Sequence, residues 1–319
     1  MTRHILLTLA FLFLAGGCGS MRFYDDTPPL EFADFDYTFS TTTATVNGTT
    51  VAYHDTRSGV GTPIVLIHGL ASNAGFFRSN VDALERAGLR VIAVDLPGYG
   101  KSAKSFGAPY SLAFYAETVS ALLTHLNIQR AVWVGHSMGA QIALTAALAR
   151  PQQVDRLVLL SPAGFETFKR GEGDWLRNAV NPDFIKRTPP TAIRANLAAN
   201  FYSWSDTWEW MVEERERMAR AKEFDRFAYA TWRSVGAMLD EPVRAKLGRI
   251  TAPTLVIAGE NDNLIPNPYL HGGFTRDVME DGTKALRNAQ LVMLPRAGHM
   301  VQLEKAEEVN RLITDFVNR

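Results

Sequence analysis

Six short stretches of this chain are dominated by apolar and β-branched side chains: TPIVLIHG from Thr62, Leu89–Val94, RAVWV from Arg130, VDRLVLLS from Val154, APTLVIAG from Ala252 and QLVMLP from Gln290. Runs this short and this apolar are expected of strands buried on both faces. Helical stretches lie between them. Phe76–Gly88 ends in glycine, Tyr110–Leu126 has a serine near its start, and Met138–Arg150 is stopped by Pro151. LEKAEEVNRLITDFV, from Leu303, reads as a closing amphipathic helix. Strand alternating with helix argues for a parallel sheet with helices on both faces. Ahead of it, TATVNGTTVAYHD alternates around Asn47-Gly48, a hairpin signal. The expectation is an α/β fold with a mostly parallel, eight-stranded sheet.

The alternation stops between about Pro162 and Ile250, where the chain is helix-like and rich in Trp, Phe, Arg and Glu. An insertion between two sheet strands is well placed to act as a lid. The predicted organisation is a signal segment over 1–17, a tether over 18–36, a core over 37–161 and 251–319, and a helical cap over 162–250. The tether is rich in Pro, Asp and aromatics without a period, and is expected to lie against the rest of the chain. Within the cap, Trp204, Trp208, Met211 and Val212 fall near one helical face. Packing on the core is the expectation, and an apolar acyl-binding wall the alternative. The charged run EERERMAR reads as a solvated face.

With 319 residues and 46% of them apolar, the chain can bury one large core. Its formal net charge is zero, so nothing points to a nucleic-acid partner. The first residues are different: MTRH, an apolar run over Ile5–Leu14, then AGGC. The run is short for a membrane span and has the layout of an export signal. It ends at Cys18, the only cysteine. The segment resembles a bacterial lipoprotein signal, in which that cysteine is lipidated. An extra glycine places Leu14 four residues before Cys18, a departure from the usual pattern. Soluble export is the alternative. The resemblance implies an exported, envelope-located, lipid-anchored protein. Gly19 after Cys18 favours an outer membrane where two are present.

VGHSMGAQIA, Val134–Ala143, carries the chemistry. The pattern G-x-S-x-G alone turns up by chance in about one chain of this length in ten, so its flanks decide. A strand, RAVWV, precedes it and an alanine-rich helix follows. Between them a sharp turn lifts Ser137 above the sheet edge as a nucleophile. A serine hydroxyl needs a general base, and the base an orienting carboxylate. Of seven histidines, His299 follows the strand QLVMLP near the chain end, where sites form in an α/β sheet. GENDNLIP offers Asp262 just past another strand, with Glu260 as the alternative. Asp95 reads as structural. The tetrahedral intermediate needs two donors: the N–H of Met138, at a helix N-terminus where the dipole favours negative charge, and one from the loop after His68-Gly69.

The order Ser137, Asp262, His299, with LIHGLASN, DLPGYGKS, GHSMG, GENDNLIP and AGHM, resembles the α/β-hydrolase superfamily from about Thr62 to Val317. GHSMG, the SPAG after the next strand and the helical insertion resemble its serine-esterase and monoacylglycerol-lipase-like branch. The resemblance implies Leu70 as the second oxyanion donor, with Ala71 its neighbouring alternative, and catalysis with no cofactor and no metal. The expected activity is hydrolysis of carboxylic esters, lipid-like or short-to-medium in acyl chain, through an acyl-enzyme. A carbon–carbon bond hydrolase of ring-cleavage products and a non-catalytic envelope lipoprotein are the rival readings.

Overall fold

A computed structural model describes residues 22–319; the signal segment and Cys18 lie outside the described residues. Eight strands form one sheet: β1 (Thr42–Val46), β2 (Thr49–Asp55), β3 (Ile64–Ile67), β4 (Val91–Val94), β5 (Ala131–His136), β6 (Val154–Leu160), β7 (Thr254–Gly259) and β8 (Ala289–Leu294). Their order is β1-β2-β4-β3-β5-β6-β7-β8. The β1–β2 hairpin and the β2–β4 pair are antiparallel, and every other pair is parallel. Every residue of β3, β4, β5 and β7 is buried, as continuous apolar runs require when helices cover both faces.

The helices around the sheet are α1 (Val81–Arg86), α2 (Leu112–His125), α3 (Met138–Ala149), α9 (Thr275–Lys284), α10 (Val301–Glu304) and α11 (Ala306–Val317). Ser111 caps α2 by accepting from the Phe114 N–H at 3.0 Å, which satisfies one of the donors left free at a helix start. α11 buries Val309, Ile313, Phe316 and Val317, the spacing of one helical face. Two sequence expectations shift. Phe76–Gly88 is not one helix but a 3-10 turn over Ala74–Phe77 followed by α1. The closing helix breaks at Lys305, with α10 on one side and α11 on the other.

Five helices lie between β6 and β7: α4 (Arg170–Ala179), α5 (Pro182–Arg187), α6 (Pro190–Ala198), α7 (Glu209–Met218) and α8 (Phe224–Asp240). They form the cap. α8 is its deepest member. Its Ser234 hydroxyl is 2.8 Å from the Tyr99 and Tyr115 hydroxyls, and Phe227 packs edge-on against Tyr99.

Residues 22–36, expected as a tether lying against the rest of the chain, form a strap along α7. The Tyr24 hydroxyl donates to Glu209 at 2.8 Å and the Tyr24 N–H to Glu216 at 3.1 Å. Arg217 and Arg220 donate to the carbonyls of Pro28, Asp25 and Tyr24. Phe32, Phe35 and Tyr37 are then buried in the main core. The run EERERMAR therefore corrects the expectation of a solvated face. Glu216 is buried, and Glu214, Arg215, Arg217 and Arg220 all bond other parts of the chain. A charged helix face reads as solvated when its sequence is seen alone; here the opposing partners come from far upstream.

Candidate active site

Ser137 ends β5 and opens α3. Its backbone sits at φ 53°, ψ −116°, a region that costs a non-glycine residue on the order of 1–3 kcal/mol. The fold holds it there from both sides: the Ser137 N–H donates to the Leu160 carbonyl at 2.9 Å, and its own carbonyl accepts from Ala163 N–H at 3.2 Å. The flanking glycines are sterically required. A Cβ on Gly135 would lie 2.3 Å from the Gly139 carbonyl oxygen, and one on Gly139 would lie 2.2 Å from that of Ile67. The turn is sharp because helix and strands pass at backbone contact.

Asp262 and His299 meet. The His299 Nδ1 is 2.7 Å from Asp262 Oδ2, and both side chains are almost wholly buried. With Nδ1–H donating to the carboxylate, Nε2 keeps its lone pair. The other carboxylate oxygen accepts from the Leu264 and Ile265 N–H groups at 2.8 and 3.2 Å. Glu260 points elsewhere, to Arg276. Glu166, the acidic residue nearest the SPAG turn, accepts from the Asn267 N–H and lies 2.5 Å from His271 Nδ1. The structure thus separates Asp262, on His299, from Glu260 and Glu166, which bond elsewhere.

His299 is brought beside the serine turn by His136. The two rings lie 4.9 Å apart, and His136 Nε2 is 3.0 Å from the His299 carbonyl. Burial pushes the His136 pKa well below the usual histidine range, and the neighbouring His299 adds to this, so a neutral ring donates Nε2–H to that carbonyl. The cap holds the same loop from the other side, where the Asn200 carbonyl accepts from the His299 N–H at 2.8 Å.

The candidate oxyanion donors are also set by neighbours. Met138 is the first residue of α3, so its N–H has no carbonyl behind it in the helix. Leu70 follows β3. His68 is fully buried, and burial lowers its pKa to about 4. Its Nε2 accepts from the Leu96 N–H at 3.0 Å, so its Nδ1–H donates to the Gly69 carbonyl at 2.8 Å. In a trans peptide the N–H points opposite the carbonyl. Fixing the Gly69 carbonyl therefore fixes the direction of the Leu70 N–H. Gly69 itself lies close to the elbow: a Cβ there would be 3.2 Å from that of Ser137.

Asp95 is structural. It is fully buried and accepts from the Ala74 N–H at 2.7 Å, the Lys101 N–H at 2.8 Å and the Tyr37 hydroxyl at 2.9 Å. Burial outweighs these bonds and raises its pKa above the usual carboxylate value.

A cavity of about 250 Å³ opens beneath the cap, with Leu70, Ala71 and Met300, the neighbour of His299, in its lining. Its apolar wall is Val180, Phe184, Ile185, Ile193, Leu197 and Phe224, from α5, α6, α8 and the α4–α5 link. Trp204, Trp208, Met211 and Val212 do not line it. Trp204 and Trp208 pack on Phe201, and Met211 joins a satellite cluster with Phe76 and Met300. Sequence reasoning missed the pocket wall: α5 and α6 are short and begin with proline, and they show no apolar stripe of their own.

Comparison with known proteins agrees with this architecture. An uncharacterised hydrolase of Bacillus subtilis is 31% identical over 280 residues, covering 86% of this chain and 96% of its own. A 2-hydroxy-6-oxononadienedioate/2-hydroxy-6-oxononatrienedioate hydrolase of Cupriavidus pinatubonensis is 30% identical over 275 residues, 83% of this chain and 89% of its own. The crystal structure of a probable hydrolytic enzyme of Pseudomonas aeruginosa superposes with a TM-score of 0.78 at 30% identity, covering 90% of this chain and 98% of that one. The sequence profile of the alpha/beta hydrolase fold matches residues 62–306. The chain belongs to the α/β hydrolase fold family and is a hydrolase.

Proposed function

We propose that this hydrolase cleaves carboxylic esters with an apolar acyl group, monoacylglycerols among them, through an acyl-enzyme. The observation that carries the reading is the buried 2.7 Å contact between Asp262 and His299, beside a serine held in a strained strand-to-helix turn. Ser137 Oγ attacks the ester carbonyl while His299 Nε2 takes its proton, and Asp262 stabilises the resulting imidazolium. The N–H groups of Leu70 and Met138 receive the developing oxyanion. His299 then gives its proton to the leaving alcohol. It next activates the water that releases the acid and frees Ser137. The apolar cavity supports an acyl chain as occupant.

One observation favours a second reading, hydrolysis of a carbon–carbon bond in a carboxylated ring-cleavage product: the 30% identical relative is named for a dienedioate. Against it, Arg215, the one cationic side chain among those lining the cavity, already donates to the Ala71 carbonyl and sits next to Glu214.

The test is turnover of p-nitrophenyl esters from acetate to palmitate by wild type and Ser137→Ala. A defined chain-length optimum and at least an about thousandfold loss in the variant are expected. Turnover of the dienoate but no ester would transfer the chain to the second reading. No turnover and no fluorophosphonate labelling would leave a non-catalytic module. We also propose that Cys18 carries a lipid anchor that holds the protein at the cell envelope, on the basis of the signal pattern. Loss of palmitate incorporation in Cys18→Ser tests this.

A further inference from the structure

The loop that leaves β3 and supplies Leu70 is held at its two ends by the core. His68 fixes the Gly69 carbonyl, and Asp95 accepts from the Ala74 N–H. Between these ends the backbone is unfavourable. Ala71 sits at φ +53°, the left-handed region that costs a residue with a Cβ about 1–2 kcal/mol. The core supplies no hydrogen bond to Leu70, Ala71 or Ser72, and reaches only Asn73, through the Gly75 and Phe76 N–H groups. The cap supplies two. Arg215 donates from its guanidinium to the Ala71 carbonyl. Glu214, its neighbour on α7, accepts from the Asn73 side-chain amide at 2.7 Å. Asn73 in turn caps the next turn through the Gly75 N–H at 2.9 Å. Arg215 is itself held over the Phe227 ring, 5.2 Å from its centroid. Two consecutive residues of one cap helix thus grip one carbonyl and one side chain of a loop that is distant in sequence.

Building on the serine-hydrolase reading above, we propose that Arg215 and Glu214 are positioning residues for the oxyanion hole: the cap, through this pair, sets the Leu70–Asn73 backbone for transition-state binding. The Ala71 carbonyl and the Leu70 N–H lie on the two peptides that flank the Leu70–Ala71 peptide. Releasing that carbonyl lets left-handed Ala71 relax and the intervening peptide turn, and the Leu70 N–H, then held only from the His68 side, shifts from the developing charge. A donor misplaced in this way costs rate in the chemical step and leaves ground-state binding in an apolar cavity nearly unchanged.

The pair also introduces a titration. Burial raises the Glu214 pKa to about 7, opposed by the Asn73 bond and by Arg215 and Arg78, and reinforced by Asp95. Tyr37 also faces it across the loop. Below that pH the carboxyl is neutral and Arg215 lacks the nearby negative charge; above it the carboxylate supplies that charge.

The experiment measures kcat and KM on a neutral p-nitrophenyl ester, with the second-order rate of Ser137 inactivation by a fluorophosphonate, for wild type, Arg215→Met, Arg215→Lys and Glu214→Gln. Arg215→Met should lower kcat and the inactivation rate together, by roughly 10- to 100-fold, less than loss of a whole donor. Its KM should stay within about threefold. Lysine, still able to donate to the Ala71 carbonyl, should recover most of the loss. The rate ratio of Glu214→Gln to wild type should be near one at pH 5.5 and lower at pH 8; taking the ratio cancels the titration of the shared base. Rates of Arg215→Met within about twofold of wild type, or a change in KM alone, would overturn the proposal. If Arg215→Met does not fold, a pH-independent Glu214→Gln ratio overturns it instead. A wild type that cleaves no ester but reacts with the fluorophosphonate defeats the substrate reading and leaves the inactivation rates to decide on the pair. A wild type that does not react at Ser137 defeats both.

Discussion

Ser137 and Asp262 hang from β5 and β7, strands in which every residue is buried. The cap is built differently. α5 buries none of its residues and α4 only Gly173. Its hold on the core joins α8 and an apolar cluster, Phe201 and Met211 with Phe76, Met300 and Leu303, to polar contacts: the Asn200 carbonyl on His299, Arg215 on Ala71, the ion pair of Arg244 with Asp281 and His271 between Glu166 and Glu172. The difference is one of mechanical role. A close-packed sheet keeps the Ser137 turn and the Asp262 loop in place. α4 and α5, with few buried apolar contacts, open at low cost, while the His299 and Leu70 loops take part of their support from the seated cap.

Asp262→Asn gives the largest effect and tests the core side. The isosteric amide can keep the bonds from Leu264 and Ile265 but cannot balance an imidazolium, so kcat should fall about 10³- to 10⁴-fold with the thermal midpoint nearly unchanged. Retained activity would mean that the orienting acid lies elsewhere and that the core does not hold it.

Glu304→Ala tests the seam between the regions. Its carboxylate accepts from the Gly298 N–H at 2.6 Å and from the Tyr202 N–H at 2.9 Å, joining the His299 loop to the cap. Its loss should cost about 2 kcal/mol in a urea titration. Amide exchange should rise around residues 200–203 while β5 and β7 stay protected. Uniform loss of protection would erase the distinction between the regions.

The smallest effect concerns pH. Glu166, and less strongly Glu172, raise the His271 pKa above the ordinary histidine value. A raised histidine contributes stability that is complete below the unfolded value of about 6.5 and is lost as pH rises through the folded one. The site is partly open to solvent, so the effect is screened. His271→Gln should lower the thermal midpoint at pH 5.5 by no more than about 2 °C and leave it unchanged at pH 8.5. An equal shift at both values would show packing on Phe168, stacked on the ring at 5.3 Å, rather than charge.

Legibility followed locality. The strands were readable because each is a short apolar run. The serine turn was readable because glycine is required two residues either side of Ser137. α9, between β7 and β8, was missed because its face RDVMEDGTK buries little more than Met279 and two small residues. The charged run on α7 was misread because periodicity reports a polar face and not what stands opposite it. The acid could be narrowed to Glu260 or Asp262 from the strand end; choosing between them took the side-chain directions.

The sequence by itself determined the strand–helix alternation, the serine turn and the chain order of serine, carboxylate and histidine, because each of these features is carried by a local segment. Only the tertiary structure decided which carboxylate meets His299, which helices wall the cavity, and that α7 faces the Leu70 loop on one side and the Tyr24 strap on the other. Those outcomes depend on contacts between segments distant in the chain, 37 residues apart for Asp262 with His299 and more than a hundred for Asn73 with Glu214 and Tyr24 with Glu209, and no local pattern encodes a partner at such distances.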